Sequence, residues 1–475
     1  MSLFSKVAKN TVYQIIGKVL GTILGLLTVG LMTRYLGQTG FGYYTTAIAF
    51  LQFFGVLIDF GLQMTTAQLL ARPQADERKI FANIFTLRLV SAVIFLGLGA
   101  AVAWLMPYPL AIKIGIMIAA WSFLFISLQS VLIGLFQKQM AMAEVALAEV
   151  WGRGVLLVGV WLAIYLQGGF YYIMLAVAAG SLVNFLLLLI RARKFFPIRF
   201  AYDRKIWRDI WGLSWPLAIT ISLTLVYFRA DTVIMSLFRP QSEVGIYGAS
   251  YKVLEILVQF PYLFLGLILP LLSRFHVEDK AVFGRIFQKA FDFLALIAIP
   301  MIFSVWVLGE KIMVFVAGGQ FILSGIIIKI LILAAAAIYF SSLFGYTIVS
   351  AGLQKKMIKF YLIDAVLSLI LYLIFIPLYS YWAAAIITVL TEVFIALSSW
   401  WILRRQLKIS LNLAAAGKYL VAASIMSAAV ALLHSQNLPT LVVIGLIVYF
   451  AALYFMKGID RKDILEIINV KRINN

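Results

Sequence analysis

The sequence predicts an all-α, polytopic membrane protein of about fourteen transmembrane helices, arranged as two pseudo-symmetric six-helix lobes and two additional C-terminal helices. Three observations predict it. The 475 residues are 64% apolar and 12% charged, with a mean hydropathy of +1.03, whereas ordinary globular chains are about 45–50% apolar and about 25% charged. Long apolar runs recur from end to end. The stretch RYLGQTGFGYY (34–44) is also echoed about two hundred residues later by LFRPQSEVGIYG (237–248).

The composition excludes a soluble protein, because 19 acidic and 39 basic residues cannot coat a chain of 53.1 kDa with a polar surface. A spanning helix needs about 20 largely apolar residues. Such runs lie at 12–33, 43–66, 80–106, 111–136, 145–166, 170–190, 210–237, 244–272, 283–308, 326–350, 360–378, 381–403, 416–434 and 439–456. The first is too long for a cleaved signal peptide and is followed by many like it.

The connections orient these spans. With the N-terminus inside, the inner segments hold twenty-eight basic residues, among them Lys6, Lys9, Arg72, Lys138, Arg274, Lys355 and Arg404, and the outer ones hold four: Arg34, Lys113, Arg239 and Lys311. That bias follows the positive-inside rule and places both termini in the cytoplasm. It also accounts for the net charge of +20 by orientation and by attraction to anionic membrane lipids, with no nucleic acid required.

Both halves of the echo follow an apolar run and a lone arginine. Laid at one offset, Gly42 falls on Gly245 and Tyr44 on Tyr247. A second echo, GLFQKQM (134–140) and GLQKKM (352–357), follows the fourth and tenth spans. Two echoes in order at matching places predict a duplication of six spans, whose copies enter the membrane in the same direction. The expected organisation is an N-terminal lobe at 1–190, a basic cytoplasmic linker at 191–209, a second lobe at 210–403, two additional spans within 404–456 and a basic tail at 457–475.

Charges inside the spans are costly, about 2.5–3.5 kcal/mol each on insertion scales, so depth sorts them. Arg88, Arg229, Asp231, Lys252, Glu255, Asp292 and Glu392 are deepest. Lys18, Arg34, Arg153, Arg239 and Lys329 are near enough to an end to snorkel. Lys252 and Glu255 are spaced to pair on one face. Arg88 and Arg229 have no acid at helical spacing: either they line a central cavity, or they pair with Asp59 and Asp292 respectively. Gly17, Gly21 and Gly25 give the first span a thin face that suits close helix contact or flexing. Trp121, Trp151, Trp161, Trp207, Trp211, Trp215 and Trp306 suit interfacial belts, and Pro216, Pro261 and Pro300 suit kinks. No phosphate-binding glycine loop, no H-E-x-x-H and no cysteine are present, and the two histidines, His276 and His434, lie in different connections. No catalytic residue, cofactor or metal is expected.

Residues 9–50, with their glycine-spaced first helix, Arg34, Leu36-Gly37, Phe41-Gly42 and Tyr44, resemble the opening of the polysaccharide biosynthesis flippases, of the superfamily that also holds multidrug exporters and peptidoglycan-precursor flippases. IDFGLQ (58–63) resembles that family's aspartate–glycine turn, and LFRPQSEVGIYGASYK (237–252) its counterpart in the second lobe. The resemblance implies a transporter in the cytoplasmic membrane of a prokaryote that flips a polyprenyl-pyrophosphate-linked glycan from the inner to the outer leaflet. It implies a monomeric transport unit, working with polysaccharide polymerase or glycosyltransferases of the same pathway. The lobes would open alternately around a cationic cavity in which Arg88, Arg229, Lys252, Lys18 and Arg34 meet the pyrophosphate. Asp231, Glu255, Asp292 and Glu392 depart from an all-basic cavity and leave room for an ion-coupled drug antiporter. A lipid II flippase is the other alternative.

Overall fold

The computed structural model describes residues 3–59, 62, 69, 76–195 and 199–458. Outside it lie most of the segment 60–75 with Arg72 and the aspartate–glycine turn's Gly61, linker residues 196–198, and the tail from 459 onward. The side chains of Lys6, Lys9, Trp215 and Pro216 are also outside it.

Twelve α-helices are present among the described residues: α1 (Leu3–Asp59), α2 (Glu77–Leu105), α3 (Leu110–Lys138), α4 (Met142–Tyr165), α5 (Gly169–Ala192), α6 (Arg204–Phe238), α7 (Gln241–Glu278), α8 (Lys280–Ala317), α9 (Ile322–Ser350), α10 (Ile358–Leu407), α11 (Ala414–Leu432) and α12 (Leu438–Phe455). Eleven helical stretches are long and apolar enough to cross a membrane. The fourteen expected spans meet twelve continuous helical stretches because two of these, α1 and α10, are each two helices joined directly at a break. In α1 the break is Gly37, at φ 64 and ψ −173, a conformation open to glycine because it lacks Cβ. In α10 it is Ser380, at φ 53 and ψ −136, three residues after Pro377. The span expected at 210–237 coincides with α6. α7 runs through Pro261 and Pro270 and α8 through Pro300 without such a break.

Polar residues set the helix starts. Asp76 accepts from Lys79 N at 3.1 Å to begin α2, and Asn437 accepts from Thr440 N at 3.1 Å to begin α12, each satisfying an amide that has no helical partner. Asp203 does the same for α6 through Lys205 and Ile206, and its free oxygen lies 2.5 Å from Lys79 Nζ. Elsewhere the surface is apolar: Trp121, Trp151, Trp161, Trp211 and Trp306 are exposed, as are leucines and isoleucines on nearly every helix. Large exposed apolar patches are foreign to soluble monomers. The chain is a multi-pass membrane protein.

Contacts divide the chain into two compact units. One comprises Met1–Gly248, Val316–Gln320 and Tyr372–Ser380; the other comprises Ala249–Phe315, Phe321–Leu371 and Tyr381–Asn475. In the first, α4 packs on α5 and α1, and α3 on α5, α1 and α2. Its cores are centred on Phe81, Leu132, Leu135 and Phe136, and on Leu51, Ala92, Ile112 and Ile116. In the second, α11 packs on α12, and one core gathers Leu265, Phe287, Leu294, Leu343 and Leu403. Expected lobes are defined by repetition and these units by contact, so their limits differ.

The contact limit falls at Gly248 because the echoed turns lie on each other. A Cβ on Gly42 would stand 1.8 Å from Gln241 O, and one on Gly245 would stand 1.9 Å from Gln38 O. The two contacts exchange residues at a single offset, so the juxtaposition is reciprocal. A Cβ on Gly248 would stand 2.5 Å from the side-chain Oγ1 of Thr45, and Thr46 Oγ1 donates to Gln241 Oε1 at 2.7 Å. The second echo is placed differently. Gln137 and Lys138 end α3, whereas Gln354 and Lys355 form a separate 3-10 turn beyond the end of α9.

Candidate functional site

Charged side chains within the helices fall into closed and open groups. Arg88, on α2, is closed. Its side chain is 4% exposed, and its guanidinium donates from Nε to Ser127 O at 3.1 Å, from Nη1 to Ile58 O at 3.0 Å, and from Nη2 to Asp59 Oδ1 and Ser130 Oγ, each at 2.6 Å. It ties α2 to the end of α1 and to α3. Of the two alternatives for Arg88, the pairing with Asp59 is the one present.

Lys18 belongs to an open group. Its ammonium lies 3.7 Å from Glu149 Oε1, which also accepts from Arg153 Nε at 3.1 Å and Nη2 at 2.8 Å. Arg153 Nη1 donates to Gly21 O at 2.9 Å. The glycine-spaced face of α1 is thus explained: Gly17 lets Ala146 approach, and Gly21 and Gly25 leave a slot for Arg153, whose Nη1 would be 2.7 Å from a Cβ on Gly25. Arg153 is midway along the 24-residue α4, deeper than its distance from an expected span end suggests. The trio holds two cations to one anion, and all three side chains are about one-third exposed. Neither Glu149 nor the depth of Arg153 stands out in the sequence. The available signal was their four-residue spacing, opposite a span with glycine at every fourth place.

The remaining candidates are dispersed. Arg34 is exposed beside the Gly37 break and donates to Gly30 O at 2.9 Å and Val316 O at 2.8 Å. Arg229, half-buried, lies two residues before Asp231, which is fully buried and accepts from Tyr247 Oη and Thr232 N, each at 2.5 Å. Arg239 grips Glu243 with two bonds, of 2.8 and 3.0 Å, and Ser380 Oγ donates to the same carboxylate.

In the second unit, Lys252 and Glu255 pair at 2.8 Å. Asp292 accepts from Gln288 Nε2 at 2.9 Å; Gln288 also binds the backbone of Asn412 ahead of α11. Glu392 is buried on α10 within electrostatic reach of the buried Asp364. Among the described residues, Asp364 Oδ2 has no hydrogen-bond partner, and no three histidines or acids converge to hold a metal.

Solved structures share this arrangement of helices. A lipid II flippase, MurJ, in an inward closed conformation matches with a TM-score of 0.76 at 16% identity, covering 94% of this chain and 99% of that one. A multidrug resistance MATE family transporter of the MOP superfamily matches in its inward-facing conformation with a TM-score of 0.65 at 12% identity, over 84% and 98% of the two chains. An outward-facing conformation of such a transporter gives 0.58 at 15% identity, over 85% and 95%. At these identities the likeness is one of fold. Among curated proteins no sequence matches. The family model described as polysaccharide biosynthesis protein matches residues 7–276, more than half the chain, including α1 with its glycine slot, the Arg88 cage, the open trio and both echoed turns. The protein therefore belongs to the polysaccharide biosynthesis protein family.

Proposed function

We propose that the protein is a flippase that carries a polyprenyl-pyrophosphate-linked oligosaccharide from the cytoplasmic to the outer leaflet of a prokaryotic inner membrane, for cell-surface polysaccharide assembly. The observation that carries this reading is the surplus positive charge of Lys18, Glu149 and Arg153, about one-third exposed where the middle of α4 packs on α1, in a chain of this family. A pyrophosphate sugar cannot enter hydrocarbon without solvation of its charges, and an arginine fork supplies bidentate contacts to phosphate. The prenyl tail stays in lipid throughout. The six-span lobes at 1–190 and 210–403 alternate in access, both termini are cytoplasmic, and the linker bases between them rest on anionic lipid heads. Polymerase or glycosyltransferases of the same pathway act on either side of the step.

The test is a release assay with purified protein in liposomes, comparing a polyprenyl-pyrophosphate oligosaccharide, lipid II and cationic drugs. Selective translocation of the oligosaccharide carrier is expected. Movement of drugs alone, dependent on a proton or sodium gradient, would replace the proposal with the antiporter reading, which the buried Asp364 and Glu392 favour. Movement of lipid II alone would replace it with the peptidoglycan-precursor reading.

A further inference from the structure

We propose that Glu149 is a resident counter-anion that occupies the substrate's phosphate position on Arg153 and Lys18, and that the phosphate headgroup binds by displacing it. The inference rests on the flippase reading only for the identity of the headgroup.

The geometry of the trio points to displacement. All the contacts to Glu149 fall on one oxygen, Oε1, which Arg153 reaches with both Nε and Nη2. At 3.7 Å, Lys18 Nζ is held by charge and is beyond hydrogen-bond range. Among the described residues that ammonium has no hydrogen bond. Two cations are therefore served by a single carboxylate oxygen, which leaves donors for an ion with more anionic oxygens.

Arg153 does not depend on Glu149 for its position. Its Nη1 is fixed by Gly21 O at 2.9 Å, and its stem and guanidinium lie in the slot left by Gly21 and Gly25. The fork stays aimed when the carboxylate leaves. Arg88 lacks this property: its carbonyl and hydroxyl partners surround it, and displacing Asp59 would open no comparable exposed face.

A counter-anion of this kind has two effects. It keeps a pair of half-buried cations neutralised in part when no substrate is present. It also competes with the bound phosphate, so it speeds release at the far leaflet. Removing its charge should tighten binding and slow turnover, the reverse of removing an ordinary binding residue.

The experiment uses full-length protein in zwitterionic nanodiscs. A labelled polyprenyl pyrophosphate is titrated into wild type, Glu149→Gln, Arg153→Gln and Gly25→Ala, with polyprenyl monophosphate and phosphatidylglycerol as competitors and thermal unfolding as the check on folding. Glu149→Gln is expected to bind about tenfold tighter and Arg153→Gln about tenfold weaker, the scale of one charge-assisted contact. Liposome transport by Glu149→Gln should fall. Gly25→Ala keeps every charge but crowds Arg153 Nη1, and is expected to weaken binding about tenfold. Folded Glu149→Gln with unchanged or weaker affinity for every phosphate lipid overturns the inference. If that variant does not fold, Glu149→Ala takes its place, and unchanged or weaker affinity of that folded variant for every phosphate lipid overturns it. Tighter binding of phosphatidylglycerol alone by Glu149→Gln would keep the displaceable anion and overturn the pyrophosphate reading.

Discussion

Arg88 and Arg153 are both arginines well inside apolar helices of the same compact unit, and each lies beside a carboxylate. Their surroundings separate them. Arg88 is 4% exposed and its donors meet four protein acceptors on α1 and α3; Arg153 is 32% exposed and shares a single carboxylate oxygen with a second cation. A charge surrounded by fixed acceptors serves stability, because removing it leaves those acceptors buried and unsatisfied. A charge with spare donors and an open face serves an exchangeable anion. Burial and partner count, rather than residue type or depth in the sequence, separate the two arginines.

Four experiments test that contrast. Arg88→Ala should cost about 3–5 kcal/mol, the range for breaking a buried ion pair, seen as a large drop in unfolding temperature in detergent. Part of that loss should return in the double variant with Asp59→Asn, which removes the orphaned charge. An Arg88→Ala protein that unfolds like wild type yet loses the carrier would invert the contrast.

Arg153→Ala should change stability by about 1 kcal/mol or less, as a partly exposed pair does, while carrier binding falls. Equal damage to stability in both arginine variants would erase the distinction. Lys252→Gln breaks a three-residue-spaced pair on α7 and should cost about 0.2–0.5 kcal/mol, measured against Glu255→Gln in the same detergent. A larger cost would mean the pair bridges helices in addition to sharing one.

The smallest effect is expected at the exposed extreme. Lys79 and the α6 amides, Ile206 foremost, hold the Asp203 carboxyl below the ordinary carboxylate range. A depressed value contributes stability above the unfolded pKa, lost as pH falls through the folded one. Amide exchange at Lys205 and Ile206 should therefore rise only below the usual carboxylate range, with little change in global unfolding. Rising exchange at neutral pH would remove Asp203 as the cap.

The sequence made the helical class legible because lipid demands continuous apolar runs whatever the tertiary packing. It did not reveal that two neighbouring pairs of spans join directly at a break, at Gly37 and at Ser380, with no loop between them, since hydropathy registers a polar turn and not the path of the axis through it. Lys252 with Glu255 was readable from spacing. Arg88 with Asp59 was readable only as one of two alternatives, because the partner lies on another helix. Arg153 looked like a residue near a helix end, and only packing of α4 against the glycines of α1 shows that it has a built slot.

The echoed turns carry a consequence for how this chain can change over generations. At most sites in a duplicated protein the two copies face different neighbours, so each drifts independently and the likeness fades. Gly42 and Gly245 face the backbone oxygens of Gln241 and Gln38. An added methyl at either place collides with a peptide group, which no substitution on the other side can trim away. Each turn is thus the environment that filters mutations in the other, and the likeness of the two turns is held in place by the contact between them.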